Sequence, residues 1–336
     1  MNDDKKKEYK NILFFDKYFK DKRLQYNWDD YMKKILFIVS IILFIPYVVV
    51  TLFIKEDTTH MKFIFEEDQK VRIKQTESDH VIEIPLEEYV MGVLAGEMPI
   101  SFEEEALKAQ AVAARSYVLK KIEQNHKKDY DVVDTVMNQV YLDEESLKNK
   151  WKDTYDEKMS KIKKVVADTK GEYLTYNGDV IEAFFFSTST GYTENCEEVF
   201  VEALPYLRSV ESHYDEISPV YETTKKLSLQ EFYQKLNLDY SNQVNIEIIK
   251  TTSTGRIKQL KINEHEFTGN EIANKLQLRS TYFEINQQDD EIIIHNKGYG
   301  HGVGMSQYGA NGMAKEGYTY DEILKHYYTN VEISKI

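Results

Sequence analysis

The stretch "LEEYVMGVLAGEMP", residues 86–99, places a glutamate where an apolar helical pattern ends. Pro85 stands at a favourable first position for a helix. The apolar residues that recur at helical spacing are Leu86, Tyr89, Val90, Val93 and Leu94. This spacing predicts a helix with one buried face, and we expect Gly96 to end it. Glu97 then lies in the following turn, where a carboxylate is ordinarily solvated.

The next segment predicts a second helix close to the first. Ser101 followed by Glu104 is typical of a capping box. The predicted apolar stripe consists of Leu107, Ala111, Ala114, Val118 and Ile122, and its alanines indicate close approach of another backbone. Glu97 is therefore expected in a tight elbow between two packed helices. The start of the second helix favours an ionised carboxylate, so a general acid at this place requires burial beside Met98 and Phe102.

Charge and cysteine content exclude some classes of protein. The 336 residues carry a net charge of −14 with no basic stripe beyond residue 60, which argues against nucleic-acid binding. Cys196 is the single cysteine, so an internal disulfide and a cysteine-rich metal site are both excluded. The mixture of helical and strand patterns predicts an α+β fold with a mixed, mostly antiparallel sheet and packed helices.

Residues 35–54, "ILFIVSIILFIPYVVVTLFI", form a run of 20 uncharged residues, the length of a membrane-spanning helix. A cleaved signal peptide is the alternative, but 34 residues precede the run and no small-residue cleavage pattern follows. Residues 1–34 hold ten Lys or Arg against seven Asp or Glu, which predicts a cytoplasmic tail. Residues 60–336 are then expected outside the cell membrane.

Strand patterns dominate after a charged helical region at residues 141–170. Asn177-Gly178 between two apolar runs predicts a β-hairpin. The loop "STSTGYTEN", residues 187–195, follows directly and is either an ordinary turn or a polar binding loop. Further strands are expected at residues 245–262, 281–286 and 290–295. Short capped helices are expected at "SLQE" and "TGNE".

Residues 298–317 hold seven of the 14 glycines, and Gly300, Gly302 and Gly304 alternate within "GYGHGVGMSQYGA". This pattern predicts positive φ angles or a close backbone contact. A phosphate-binding loop is excluded because neither of its motifs is present. His295 and His301 lack an acidic or thiol companion at metal-ligand spacing, which favours structural histidines. His301, Ser306 and Gln307 form a polar edge suited to sugar hydroxyls.

Three separated motifs resemble the stage II sporulation protein D family, whose domain also occurs in amidase enhancers. They are "LEEYVMGVLAGEMP" with "EALKAQAVAARSY", then "FFFSTSTGYTEN", then "GYGHGVGMSQYGA". The resemblance covers roughly residues 60–336. It implies a membrane-anchored lytic transglycosylase that cuts peptidoglycan glycan strands during forespore engulfment. It also implies a sporulation amidase and a multi-spanning membrane protein as partners.

The resemblance assigns roles to individual residues. Glu97 matches the catalytic acid of the family. The matching substrate-cleft residues are Arg115, Ser187, Ser189, Tyr192, His301, Ser306, Gln307 and Tyr308. The sequence departs from the family at Thr190, which precedes Gly191 where a second glycine is usual. It also lacks the cysteines of the zinc cluster that some members carry, since only His126 is present there. We therefore expect no metal and no other cofactor.

Glu97 is the one well-placed carboxylate in these motifs, whereas ordinary glycosidases use two. A lytic transglycosylase needs one, because the 6-hydroxyl of N-acetylmuramic acid is the nucleophile. Arg115 is expected either to bind the lactyl carboxylate of a muramic acid without its stem peptide or to form a salt bridge with a nearby glutamate. The alternative function is a non-catalytic glycan-binding enhancer of a partner amidase, and a metallohydrolase lacks the ligands.

Overall fold

The computed structural model describes residues 33–37 and 68–336. The chain divides into two compact units, Met1–Phe63 and Ile64–Ile336. In the first unit, residues 33–37 are helical. The rest of the predicted tail (residues 1–34) and of the predicted membrane span (residues 35–54) lies outside the described residues. Among the residues that are described, no helix has both the length and the apolar character needed to cross a bilayer.

The second unit is an α+β fold. It begins with a β-hairpin, β1 (Lys70–Lys74) and β2 (Val81–Pro85), which leads directly into α1 (Leu86–Glu97). The following elements are α2 (Glu104–Asn125), β3 (Val132–Val133), α3 (Glu144–Trp151), α4 (Tyr155–Asp168), β4 (Glu172–Tyr176), β5 (Asp179–Val180), β6 (Phe185–Phe186) and α5 (Cys196–Val199). Helices α3 and α4 fall within the charged segment predicted to be helical.

A compact module follows, in which two antiparallel three-stranded sheets and two helices share an apolar core. The strand orders are β10-β9-β8 and β11-β12-β7. Its elements are β7 (Glu222–Ser228), α6 (Leu229–Leu236), β8 (Ile246–Thr251), β9 (Ile257–Ile262), β10 (His265–Thr268), α7 (Gly269–Leu276), β11 (Phe283–Gln288) and β12 (Glu291–Lys297). The chain ends with β13 (Met305–Ser306), α8 (Gln307–Lys315), α9 (Tyr320–Tyr327) and β14 (Glu332–Lys335).

Helix α2 is the centre of the first part of the fold. It contacts α1, α4, α8, α9 and β4, and all of its residues from Ala109 to Leu119 are buried. The five residues of its predicted apolar stripe are buried, and so are Ala106, Ala109 and Ala113 outside that stripe. Small side chains allow these neighbours to approach the α2 backbone closely, as the alanine content predicted.

The structure corrects two predicted helix boundaries. Gly96 does not end α1, which continues through Glu97 and is closed by the Met98 N–H donating to the Leu94 carbonyl. The capping box at Ser101 is also wrong, since α2 begins at Glu104 without a side-chain cap. Residues 99–102 instead form a turn in which the Phe102 N–H donates to the Pro99 carbonyl at 3.0 Å. Burial of Phe102 stabilises that turn.

Other local predictions are confirmed. Asn177 and Gly178, with φ angles of 52° and 85°, connect β4 and β5 as an antiparallel hairpin. Ser228 accepts from the Glu231 N–H at the start of α6. Thr268 forms a complete capping box at the start of α7. The predicted strands at 245–262, 281–286 and 290–295 correspond to β8, β9, β11 and β12.

Gly96 has a packing role that the sequence pattern did not reveal. A Cβ atom at this position would lie 2.4 Å from the Val140 carbonyl oxygen, and one at Gly92 would lie 2.4 Å from the Tyr141 ring. The two glycines are one helical turn apart, so together they form a flat face on α1. The segment at residues 138–142 packs directly against that face.

We therefore expect Gly96→Ala to lower the free energy of unfolding by about 1–3 kcal/mol, because the loop backbone would have to move. Urea denaturation measures this change. Glu88→Ala alters an exposed position of the same helix and is expected to stay within about 0.5 kcal/mol of the wild type. Equal stability of the Gly96→Ala and wild-type proteins would show that this close contact is not required.

Candidate active site

Three separated parts of the chain converge on one cleft of about 720 Å³. They are the end of α1 with the loop before α3, the region around β6, and the glycine-rich segment that leads into α8. Five of the predicted site residues line the cleft, namely Glu97, Ser187, His301, Gln307 and Tyr308. Another groove, of about 750 Å³, lies in the module formed by β7–β12 and contains His295 but none of the predicted site residues.

Glu97 is held by the contact between α1 and the loop. Because Gly92 and Gly96 admit the loop backbone, the Val140 N–H reaches the carboxylate and donates to Glu97 Oε1 at 2.6 Å. The Tyr141 ring stacks on Tyr89 with the ring centroids 5.6 Å apart, which holds the loop in place. Glu97 is therefore positioned by a rigid element, as an acid catalyst requires.

Burial raises the pKa of the Glu97 carboxyl, and the hydrogen bond from Val140 opposes this effect without reversing it. Glu97 is the last residue of α1, and the C-terminal end of a helix disfavours a negative charge. The start of the following helix was expected to favour the ionised carboxylate. That effect is weak at Glu97, because α2 begins only at Glu104. Among the described residues, Glu97 is the only carboxylate that lines the cleft.

The serine-rich loop contributes one of its three predicted contacts to the cleft. Ser187 lines it, next to β6. Ser189 is fully buried, and its hydroxyl donates to the Ser212 carbonyl at 3.2 Å. Tyr192 is 51% exposed and does not line the cleft. Neither residue is therefore brought to the cleft, since Ser189 is directed into the protein and Tyr192 is directed to solvent away from the cleft.

The glycine-rich segment passes under the cleft with alternating positive φ angles. Gly300, Gly302 and Gly304 have φ values of 99°, 87° and 81°. Close backbone contact accompanies them, since a Cβ at Gly304 would lie 2.0 Å from the Phe184 carbonyl oxygen. The sequence predicted either positive φ angles or a close backbone contact for these glycines, and the structure has both. Of the two side chains between these glycines, His301 lines the cleft and Val303 is buried.

His301 is a neutral, hydrogen-bonded residue. Its Nε2 lies 3.1 Å from the Phe185 carbonyl oxygen and its Nδ1 accepts from the Val303 N–H at 3.1 Å, which together assign the proton to Nε2. Burial lowers the pKa of His301 to about 4, and the charge of Arg256 adds to this effect. At neutral pH, His301 is thus uncharged. Its two ring nitrogens are both occupied, and the described residues contain no group of three or more potential metal ligands.

Three predicted site residues lie at the start of α8, and two of them line the cleft. Gln307 and Tyr308 line the cleft, and the Tyr308 ring packs edge-to-face on Phe102. Ser306 is fully buried, caps α8 by accepting from the Gly309 N–H, and donates its hydroxyl to Asp215. Ser306 is therefore directed into the protein rather than to the cleft.

Asp215 is a buried carboxylate that no sequence motif indicated. It accepts from the Ser189 N–H at 3.0 Å and from the Ser212 hydroxyl at 2.6 Å, in addition to Ser306. Burial raises the pKa of the Asp215 carboxyl, while these hydrogen bonds oppose the shift. Asp215 joins the serine-rich loop to the start of α8, and so holds two sides of the cleft together.

The structure does not bring Arg115 to the cleft. Its side chain is fully buried and forms a two-point ion pair with Glu87, with distances of 3.0 Å and 2.6 Å. A third hydrogen bond goes to the Glu172 carbonyl at 2.9 Å. Of the two roles expected for Arg115, the salt bridge to a neighbouring glutamate is the one that its position supports.

Helix α2 instead presents Tyr117 to the cleft, a residue that the sequence analysis missed. The Tyr117 hydroxyl accepts from Asn138 Nδ2 at 3.0 Å, while Asn138 Oδ1 accepts from the Val133 N–H at 2.9 Å. This arrangement leaves the Tyr117 hydroxyl proton available for donation. Burial raises the pKa of Tyr117 to about 12, so that proton is retained at neutral pH.

Apolar side chains form the walls and rim of the cleft. Phe184, Phe185 and Phe186 line it, and the more exposed Phe200 and Tyr299 lie at its edge. On the loop before α3, Val136 and Met137 line the cleft while remaining 86% and 82% exposed. Surfaces of this kind pack against the apolar faces of sugar rings. The run "FFF" was the one sequence signal that could have indicated them.

Comparison with known proteins supports the resemblance of the motifs. A family model described as "Stage II sporulation protein" matches residues 74–176. The chain is 46% identical over 271 residues to stage II sporulation protein D of Bacillus subtilis (strain 168), covering 79% of each protein. It is 45% identical over 275 residues to the protein of that name from Bacillus amyloliquefaciens, covering 80% of each.

A more distant relative is the amidase enhancer of Bacillus subtilis (strain 168). The two proteins are 30% identical over 302 residues, which is 72% of this chain and 40% of the enhancer. The enhancer is therefore much longer than the shared region.

The raised pKa of Glu97 gives a prediction about stability. The folded state binds the Glu97 proton more tightly than the unfolded state, so wild-type stability falls as the pH rises from the unfolded to the folded pKa. Glutamine does not titrate. We therefore expect the melting temperature of Glu97→Gln, relative to wild type, to increase as the pH is raised upwards from about 4, where an ordinary glutamate begins to lose its proton.

Differential scanning calorimetry at several pH values measures this difference. Glu88→Gln replaces an exposed carboxylate of the same helix and is expected to show no such increase. A Glu97→Gln difference that stays constant across this pH range would contradict the burial effect.

Proposed function

The chain belongs to the stage II sporulation protein D family, and from that premise we propose that it is a peptidoglycan lytic transglycosylase. It cleaves glycan strands, preferring those without stem peptides, during engulfment of the forespore. The observation that carries the proposal is the partly buried Glu97, the one carboxylate of the described residues that lines the cleft, with a raised pKa. A carboxyl group of this kind is suited to donate a proton to a leaving oxygen.

The reaction requires one proton donor and no water. Glu97 protonates the glycosidic oxygen as the bond between that oxygen and C1 of N-acetylmuramic acid breaks. The 6-hydroxyl of the same sugar then bonds to C1, and the Glu97 carboxylate takes the hydroxyl proton. The carboxyl group returns to its starting state, and the product carries a 1,6-anhydro end. An enzyme that hydrolyses the bond would use a second carboxylate to activate water.

The remaining side chains of the cleft suit a sugar chain. Phe200 and Tyr299 offer exposed aromatic surface at its edge. Tyr117 offers a hydroxyl proton that has no acceptor among the described residues, since its oxygen accepts from Asn138. Gln307 provides a polar group at the start of α8. Aromatic surfaces with a few fixed polar groups are typical of small-molecule and carbohydrate sites.

We propose that the protein is anchored in the cell membrane by residues 35–54, with its N-terminus in the cytoplasm and its catalytic domain outside. Support comes from the uncharged run of 20 residues and from the basic segment before it. A sporulation amidase and a multi-spanning membrane protein are the proposed partners in the engulfment complex. The name of the distant relative, amidase enhancer, is consistent with an amidase partner.

That same relative favours a second candidate function, a glycan-binding module that stimulates an amidase without cutting the strand itself. Such a module would not need a carboxyl group with a raised pKa in its cleft. The two functions differ in their dependence on Glu97, and the next experiment separates them.

We expect Glu97→Gln to reduce cleavage of stripped glycan strands by roughly 10²–10⁴-fold, because the proton donor is lost. Binding of the strands should persist, since the amide has the shape of the carboxyl group. Mass spectrometry of the products is expected to identify 1,6-anhydro-N-acetylmuramic acid ends for the wild type. Glu88→Gln is the matched control and should cleave normally.

Normal cleavage by Glu97→Gln would reject Glu97 as the acid. Ends that have gained water would make the protein a hydrolase. Strand binding without any cleavage by the wild type would favour the enhancer function instead.

The proposed topology is tested separately. Protease added to intact protoplasts is expected to remove residues beyond about 60 and to leave the N-terminal tail protected. An antibody to an N-terminal tag detects the protected fragment after electrophoresis. A shortened mature form free of the membrane would show that residues 35–54 act as a cleaved signal peptide.

A further inference from the structure

The cleft needs a cation if it selects strands whose lactyl carboxylates are free, yet none of its described lining residues is Lys or Arg. We propose that Arg279, which lies over the cleft-lining Tyr299, binds the lactyl carboxylate of N-acetylmuramic acid. This assignment rests on the proposed function and names the residue that determines its preference for strands without stem peptides. It replaces the role expected for Arg115.

Arg279 is attached to the cleft through Tyr299. The guanidinium carbon lies 5.1 Å from the centroid of the Tyr299 ring, and Tyr299 lines the cleft. The backbone of Tyr299 exchanges two hydrogen bonds with Thr188, at 3.0 Å and 2.8 Å, next to the cleft-lining Ser187. The aromatic ring is therefore fixed to the serine-rich loop, and the guanidinium group rests on that ring.

The backbone of Arg279 is fixed as well. Its N–H donates to Asn296 Oδ1 at 2.8 Å, and its carbonyl accepts from the Gly300 N–H at 3.0 Å. Arg279 also lines a pocket of about 370 Å³ that shares Gly300 and His301 with the cleft. A strand in the cleft can therefore extend towards Arg279 across the segment formed by those two residues.

Charge distinguishes Arg279 from the other arginines of residues 68–336. Arg72, Arg115, Arg208 and Arg256 each form an ion pair with an Asp or Glu. Arg279 is exposed and forms no ion pair within the described part of the chain. The chain as a whole has 57 acidic residues against 43 basic ones, so carboxylate partners are abundant. An arginine left without one in such a protein is available to an external anion.

The geometry suits a carboxylate. The cation–π contact with Tyr299 does not use the guanidinium N–H groups as hydrogen-bond donors, so these groups can bind two carboxylate oxygens. On a glycan strand without stem peptides, the ionised group is the lactyl carboxylate. A stem peptide converts that carboxylate into an uncharged amide, which cannot form the ion pair. Binding at Arg279 would therefore select stripped strands.

The experiment compares two substrates and three variants of the full-length protein in detergent. One substrate is stripped glycan strands, and the other is the same strands with their carboxylates amidated. Arg279→Gln is expected to lower kcat/KM on the free-carboxylate strands by roughly ten- to a hundredfold, mainly through KM. On amidated strands it should match the wild type. On the free-carboxylate strands, the kcat/KM of Arg279→Lys should lie between the values for the wild type and Arg279→Gln, because a lysine keeps the charge but does not reproduce the two-point contact.

Lys297→Gln is the matched control, since it removes a nearby positive charge that lies over Tyr221 and lines the other groove. It should leave cleavage unchanged. Melting temperatures of the Arg279 variants should equal that of the wild type, because the folded protein loses no ion pair. A second measurement does not depend on cleavage. Isothermal titration calorimetry gives the affinity of both substrates for the Glu97→Gln protein and for the double variant that also carries Arg279→Gln.

Wild-type affinity and activity of Arg279→Gln on free-carboxylate strands would overturn the proposal, and so would equal losses on both substrates. These outcomes leave the anhydro chemistry of Glu97 intact. Absence of cleavage by the wild type would instead overturn the proposed function, while the binding comparison would still report on Arg279.

Discussion

The hydrogen bond from the Val140 N–H to Glu97 is the interaction around which the cleft is organised. It exists because Gly92 and Gly96 leave no side chain between α1 and the loop that follows β3. The same loop carries Asn138, which orients the Tyr117 hydroxyl. One close backbone contact therefore positions both the Glu97 carboxyl, which is the proposed acid, and the Tyr117 hydroxyl, and an α1 with side chains at these glycines could not form it.

Buried polar groups hold the opposite side of the cleft. Asp215 connects Ser189 of the serine-rich loop to Ser306 at the start of α8. Arg256 pairs with Glu194 and also donates to the Gly300 carbonyl, so it supports the glycine-rich segment from below. Buried charges are tolerated when they are paired and hydrogen-bonded, and breaking such a group is strongly unfavourable. These two networks explain why hydroxyl-rich and glycine-rich segments far apart in sequence form one rigid surface.

Local sequence signals predicted local structure well. The apolar spacing of α1, the Asn177-Gly178 turn and the Thr268 cap each depend on residues within one or two turns of the chain, and each is present. The role of Gly96 was missed because its partner, Val140, comes from a loop without a recognisable motif. The family resemblance placed Arg115 in the cleft, and its membership of the same two-helix unit as Glu97 did not contradict that role. Helix α2 is buried on every side, so its periodicity does not indicate which face meets the cleft.

The cleft residues span the chain from Glu97 to Tyr308. Contacts between such distant segments form late, since the chain must first close large loops. Before the C-terminal part of the chain has folded, Glu97 therefore lacks the aromatic walls that come from β6 and the glycine-rich segment. Glu97 loses its surrounding water only when the C-terminal part of the chain has folded against it. Its suitability as the proposed acid thus depends on the folded C-terminal part, and a protein truncated before the glycine-rich segment would carry the glutamate without its cleft.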